Sequence, residues 1–326
     1  MLRLVRGLVA AWLALLAVVQ LAVLGLVWWI FIRTPHGQVL DASVLRATRI
    51  GRAQVEGMVD ALLNAVSVAS LLVATVVIGF VALARRRYRL AIVATLLIAC
   101  ANLSSQILKR YAIDRPDLGI AGTDIGAPNS MPSGHMTVAT SIVVAAVLVL
   151  PPQLTSLTAV LGAGYAAATG IATLSAGWHR PSDALAALLV VGTWASGAGT
   201  ILLLGQKREP VTEPAATHHR TVAILALAGA SLLVVAVLAI GLTDHGELTA
   251  PVDLGPGRLV GAYVGGAAGV AGGTGLMMAV VLSTVHRVVP TLHRPTLIDT
   301  IVDTLPLPNH PSGDDASGST DETRTA

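Results

Sequence analysis

Residues 7–32 read GLVAAWLALLAVVQLAVLGLVWWIFI, 26 positions without one charged side chain. A helix crosses about 30 Å of hydrocarbon with about 20 apolar residues, so this run is long enough to span a bilayer. It is also longer than the apolar region of a secretion signal and lacks a small-residue cleavage site, which makes it a retained first span. Similar uncharged runs recur at 61–84, 90–108, 184–206, 221–243 and 259–285. The stretch 136–178 is too long for one crossing, and Pro151-Pro152 divides it into helices at about 137–150 and 154–174. The reading is an all-α, polytopic transmembrane bundle of about eight spans.

Composition agrees. The chain is 54% hydrophobic and 12% charged, against about 25% charge in a soluble domain. A formal charge of +3 is too small and too scattered for a nucleic-acid footprint, so nucleic acid is excluded as a partner. Cys100 is alone, which rules out an intrachain disulfide, and in its apolar run it reads as a small hydrophobe. The glycines at 265, 266, 269, 272, 273 and 275 follow no strand and precede no lysine. They read as close helix packing, not as a phosphate loop.

Basic residues set the orientation. Arg3 and Arg6, the Arg85–Arg89 cluster, Lys207, Arg208 and Arg220, then Arg287 and Arg294 all fall on one side if the spans number eight. That side is the cytoplasm by the positive-inside rule, with both termini there. Arg33, Arg46, Arg49 and Arg52 dilute the pattern in the outward segment 33–60. The chain then divides into a first span with its outward loop (1–60), a helical core (61–206), two further spans (207–290) and a cytoplasmic tail (291–326). That tail is rich in Pro, Ser, Gly, Asp and Thr and is expected to be disordered. The localisation expected is the cell membrane.

Two stretches break the apolar monotony on the outward side. Pro132-Ser133-Gly134-His135 opens one helix, and Gly177-Trp178-His179-Arg180-Pro181-Ser182-Asp183 opens another, with Lys109 and Arg115 just ahead of the first. Charge near hydrocarbon is expensive, so a polar group of this kind points to chemistry at the membrane face. Taken singly, Ser133 and Ser182 are ordinary helix caps, Lys109 and Arg115 interfacial anchors, and Trp178 an aromatic belt residue. Asp114, Asp117 and Asp124 read as solvation of the 109–135 loop.

These residues resemble the type 2 phosphatidic acid phosphatase superfamily, membrane lipid phosphatases related to vanadium haloperoxidases. Its first motif is Lys, six residues, Arg-Pro; Lys109 and Arg115-Pro116 are similar with a gap of five. The second, Pro-Ser-Gly-His, is matched by residues 132–135. The third is Ser-Arg, five residues, His, three residues, Asp. His179 and Asp183 match its end, but Ala172 and Thr173 stand where serine and arginine belong. The resemblance covers roughly residues 60–205.

The resemblance implies hydrolysis of a lipid phosphate monoester or diphosphate at the extracytoplasmic face. Lys109, Arg115, Ser133 and Gly134 would bind phosphate oxygens, the backbone amides at the start of the helix assisting. His179 would attack phosphorus to form a phosphohistidine, with Asp183 holding its tautomer, and His135 would protonate the leaving alkoxide. Arg180 would take the charge that Thr173 lacks. No metal and no cofactor is expected: His135, His179 and Asp183 could form a zinc set, but the neighbouring Lys109 and Arg115 oppose a cation. The partners are the bilayer and a lipid phosphate or polyprenyl diphosphate, whose tail these motifs do not choose. Two other classes compete. One is a transporter with a polar vestibule, for which charges within the spans are lacking; the other is a catalytically weak family member kept for binding.

Overall fold

Proline and hydroxyl caps in the sequence mark where several helices of the bundle start. The computed structural model describes residues 2–50, 52–120, 129–205, 218–244, 250 and 254–289. Among these there are ten α-helices and no strand. They are α1 (Leu2–Arg33), α2 (Pro35–Ala47), α3 (Arg52–Ala65), α4 (Val68–Ala84), α5 (Tyr88–Ile107), α6 (Gly134–Val149), α7 (Pro152–Ser175), α8 (Pro181–Leu204), α9 (His219–Thr243) and α10 (Pro256–Val288). Proline stands at the start of α2, α7, α8 and α10, where its missing N–H costs nothing. The tail 291–326, Asp124, Lys207, Arg208 and Arg294 lie outside the described residues.

The expected spans and the helices differ in three places. Six helices are long and apolar enough to cross a membrane: α1, α5 with the turn after it, α7, α8, α9 and α10. The run 61–84 is broken instead of straight. Ser67 accepts from Ser70 N at 3.2 Å and Ser70 Oγ accepts from Ser67 N at 2.9 Å, a capping box that starts α4 afresh. The segments on either side meet at 48°, and they make a seventh crossing only if counted as one. The helix α6, at 16 residues, falls short of a full crossing by itself.

The third difference matters most. The segment 33–60, read as a loop, contains α2 and the start of α3. Thr34 caps α2 by accepting from Gly37 N at 3.1 Å, and Pro35 opens it. The turn from α1 into α2 is so tight that a Cβ on Gly37 would lie 1.9 Å from the Ile30 carbonyl oxygen. This corner folds α2 back onto the bundle, where nine of its residues, Gln38 and Asp41 among them, are buried.

The centre of the bundle is built from α5, α6 and α8, with Ala94, Leu97, Ala101, Val144, Val147 and Val191 in one buried cluster. Helix α1 lies along α8, and α9 pairs with α10. That last pair is a glycine contact: a Cβ on Gly229 would lie 2.8 Å from Leu276 N and 2.9 Å from the Gly272 carbonyl. In lipid, such close backbone approach supplies the packing that water-driven burial cannot. The consequence for function is positional. Helices α1 and α5 end, and α6 and α8 begin, at the same end of the bundle.

Candidate functional site

The two polar motifs meet at that end because a backbone hydrogen bond joins them. Ser133 N donates to the Asp183 carbonyl at 2.9 Å, so the first turn of α6 is pinned to the first turn of α8. Ser133 is fully buried and caps α6, its hydroxyl accepting from Met136 N at 3.4 Å. Gly134 and His135 follow as the first helical residues, whose N–H groups have no carbonyl partner within a helix. His135 stands half-buried between Trp178, at 5.4 Å between ring centroids, and His179, at 6.4 Å.

His179 is placed by the end of α7. Gly177 adopts φ +71°, the left-handed conformation that suits glycine, and turns the chain back. The Thr173 carbonyl then accepts from Trp178 N at 3.1 Å and His179 N at 3.3 Å. Thr173, the position at which an arginine was expected, is buried and its hydroxyl donates to the Gly170 carbonyl at 2.7 Å. It therefore contributes a carbonyl to the loop and no charge to the site.

Asp183 gathers three donors on one oxygen. Its Oδ2 accepts from Ser130 Oγ at 2.5 Å and from Arg180 N at 2.8 Å, and it pairs with His179 Nδ1 at 3.3 Å. Asp183 has no exposure and His179 is 6% exposed. With Nδ1 turned to a carboxylate, the imidazole presents Nε2 on its other edge. Arg180 is buried too; its Nη1 donates to Ser130 Oγ at 3.2 Å, which makes Ser130 the link between guanidinium and carboxylate. Burial lowers the Arg180 guanidinium from its ordinary value and neighbouring Arg115 adds to this, while Asp41 and Asp183 oppose it.

Lys109 and Arg115 flank these groups. Leu108–Ala112 forms a π-helical turn after α5, a widening that frees carbonyls. Asn129 takes up one of them and the carbonyl that follows the turn, its Nδ2 donating to Lys109 O at 2.8 Å and Ile113 O at 2.6 Å. Lys109 is half-buried and its charge reaches His135. Arg115 has a side chain only 5% exposed, and Nη2 donates to Asp41 Oδ2 at 3.1 Å. Its Nε and Nη1 are buried with no partner among the described residues. Buried donors of this kind call for an acceptor, and a phosphate oxygen is one a guanidinium suits well.

The structure thus brings His135, His179, Asp183, Ser133, Gly134 and Arg180 together and sets Lys109 and Arg115 beside them. Four residues of the arrangement had not been singled out: Gln38, Asp41, Asn129 and Ser130. Asp41 accepts from Ser182 Oγ at 2.5 Å and Ser182 N at 3.3 Å as well as from Arg115. Full burial pushes its carboxyl above the usual range and Asp183 adds to this, whereas Arg115, Arg180 and Ser182 pull it back. The signal for Asp41 lay in Thr34-Pro35, a cap followed by an N1 proline, which marks a helix where a loop was read. A cavity of about 460 Å³ lies along another face of α8, lined by residues such as Leu13, Val144, Leu188, Gly192 and Met277. It includes none of the polar groups above.

The described residues thus form an all-helical bundle with helices of membrane-spanning length and a histidine–carboxylate cluster at one end. Residues 89–209 match the family model of the PAP2 superfamily, a superfamily of hydrolases. The matched stretch contains every site residue from Lys109 to Asp183, and excludes α2 with Asp41. Comparison with curated proteins and with solved structures gives no match.

Proposed function

We propose that this chain hydrolyses a phosphate monoester or diphosphate carried by a membrane lipid, through a phosphohistidine at His179. The observation that carries the reading is His179 with Nδ1 held on buried Asp183 and its ring facing His135. Nε2 attacks phosphorus and the P–O bond to the lipid breaks. His135 gives its proton to the leaving oxygen. A water then loses a proton to His135 and attacks the phosphohistidine; phosphate leaves and both imidazoles return to their starting state. Lys109 and Arg115 neutralise the equatorial oxygens, with the amides at the start of α6 assisting. The reading uses no metal, because these cations supply the positive charge.

Eight crossings, with the broken α3–α4 pair and α6 counted as spans, put both termini in the cytoplasm and the site outside. Single cysteines at Asp117 and Arg87, in a Cys100→Ser background, test this with an impermeant thiol reagent on intact cells. Labelling at 117 and not at 87 is expected; the opposite pattern puts the chemistry inside. The reaction is tested on purified protein, after exhaustive chelation, against phosphatidic acid, phosphatidylglycerol phosphate and a polyprenyl diphosphate. Phosphate release that persists under chelation and disappears in His179→Ala supports the proposal. Activity that requires an added divalent ion contradicts it. A second reading, a catalytically weak binding protein, is favoured by the uncharged Thr173 alone, and no release from any of the three lipids would select it.

A further inference from the structure

Helix α2 lies outside the stretch that matches the PAP2 model, yet it reaches the site with two side chains one turn apart. Gln38 Nε2 donates to the Pro116 carbonyl at 3.0 Å and to the Ile32 carbonyl at 2.9 Å. Asp41 takes Nη2 of the adjacent Arg115 at 3.1 Å. Residues three apart share a helix face, so one face of α2 grips two consecutive residues of the Arg115-Pro116 segment, by backbone and by side chain. The same carboxylate binds Ser182 N and Oγ at the start of α8. Asp41 is 1% exposed, and a carboxylate that deep is tolerated only when paired and hydrogen-bonded, which these three donors achieve.

We propose that Asp41 is a positioning residue for the phosphate clamp. It takes Nη2 of the Arg115 guanidinium while holding Ser182 at the start of α8, which restrains the group beside the His179–Asp183 turn and leaves Nε and Nη1 for phosphate oxygens. This rests on Arg115 binding phosphate, as in the function proposed above. A guanidinium held by one carboxylate loses little conformational freedom when it takes a second acceptor, so the ion pair prepays part of the cost of binding. The N-terminal helix pair α1–α2 is on this account a working part of the site, beyond its role as an anchor.

Four full-length proteins test it: wild type, Asp41→Asn, Arg115→Gln and the double variant. Asp41→Asn keeps the size and an acceptor for Ser182 but removes the charge facing Arg115. The readouts are the affinity for inorganic phosphate by calorimetry in detergent, and lipid-phosphate turnover. Asp41→Asn is expected to weaken phosphate affinity at least tenfold, with a rise in KM exceeding the fall in kcat. Because Asp41 acts through Arg115, adding Asp41→Asn to Arg115→Gln should change phosphate affinity less than twofold. Losses that multiply, or an affinity within twofold of wild type in Asp41→Asn, overturn the proposal. Gln38→Leu, which leaves the charges in place, is expected to weaken phosphate binding about threefold by loosening the same segment. If Asp41→Asn does not fold, unchanged binding in Gln38→Leu overturns the account. A wild type that binds phosphate but hydrolyses none of the three lipids would reject the reaction and leave the clamp to be judged by binding. A wild type that binds no phosphate rejects both.

Discussion

Replacing Asp183 by asparagine separates the chemical role of this carboxylate from its structural one. Its Oδ2 serves three donors, while Oδ1 is buried without a partner among the described residues, so an amide can keep its oxygen toward Ser130 and Arg180 and place NH₂ on the other side. The fold should survive at reduced stability. What changes is the charge facing His179 Nδ1. A hydrogen bond to a charged acceptor contributes about 1.5–3 kcal/mol and a neutral one about 0.5–1.5. The His179–Asp183 distance of 3.3 Å is long beside the 2.8 Å from Arg180 N, which favours the lower end of the charged range. The difference between the two, up to about 1 kcal/mol in the attacking state, corresponds to about fivefold in kcat. The assay is steady-state phosphate release with the thermal midpoint measured on the same protein. A kcat within twofold of wild type, with the midpoint lowered, would show that Asp183 only holds the turn and refute its assignment to His179. Activity as low as that of His179→Ala would show that the tautomer, and not the charge alone, has been lost.

Ser130→Ala removes the donor to Asp183 and the acceptor for Arg180 at once; it should destabilise the protein by about 1–3 kcal/mol and lower turnover severalfold, measured by chemical denaturation and phosphate release. Arg180→Ala should cut turnover by one or more orders of magnitude if its charge replaces the one missing at Thr173, and near-wild-type kinetics would leave Lys109 and Arg115 as the whole clamp. Gly37→Ala puts a methyl against the Ile30 carbonyl and should open the α1–α2 corner. Its thermal midpoint should fall, and phosphate turnover should fall with it as α2 moves away from Arg115.

The parts of this molecule legible in the sequence are those with a local cause. Uncharged runs of span length give α1, α8, α9 and α10, and the Ser133 and Pro181 signals place His135 and Asp183 at helix starts. The parts that were not legible depend on distance along the chain. Asp41 stands 74 residues from Arg115 and 141 from Ser182, and nothing in its neighbours Leu40 and Ala42 announces either partner. Ser130 lies 53 residues from Asp183, in a loop that reads as solvent-facing. The break at Ser67 was hidden because Ser-Val-Ala-Ser sits within an apolar run whose average hydropathy is untouched by two hydroxyls. Arg180 illustrates the opposite case. Its charge was plain from the sequence, while its burial beside Ser130 emerged only in three dimensions.

The central claim is that His179 becomes covalently phosphorylated, and it is tested most directly by trapping that species. Wild-type protein is mixed with a radiolabelled lipid phosphate, quenched in alkali within milliseconds, where phosphohistidine is stable, and digested for mass spectrometry. The account predicts phosphate on the peptide that contains His179, labile to acid, transient under turnover and absent in His179→Ala. Label on any other residue, or sustained turnover by His179→Ala, would contradict it.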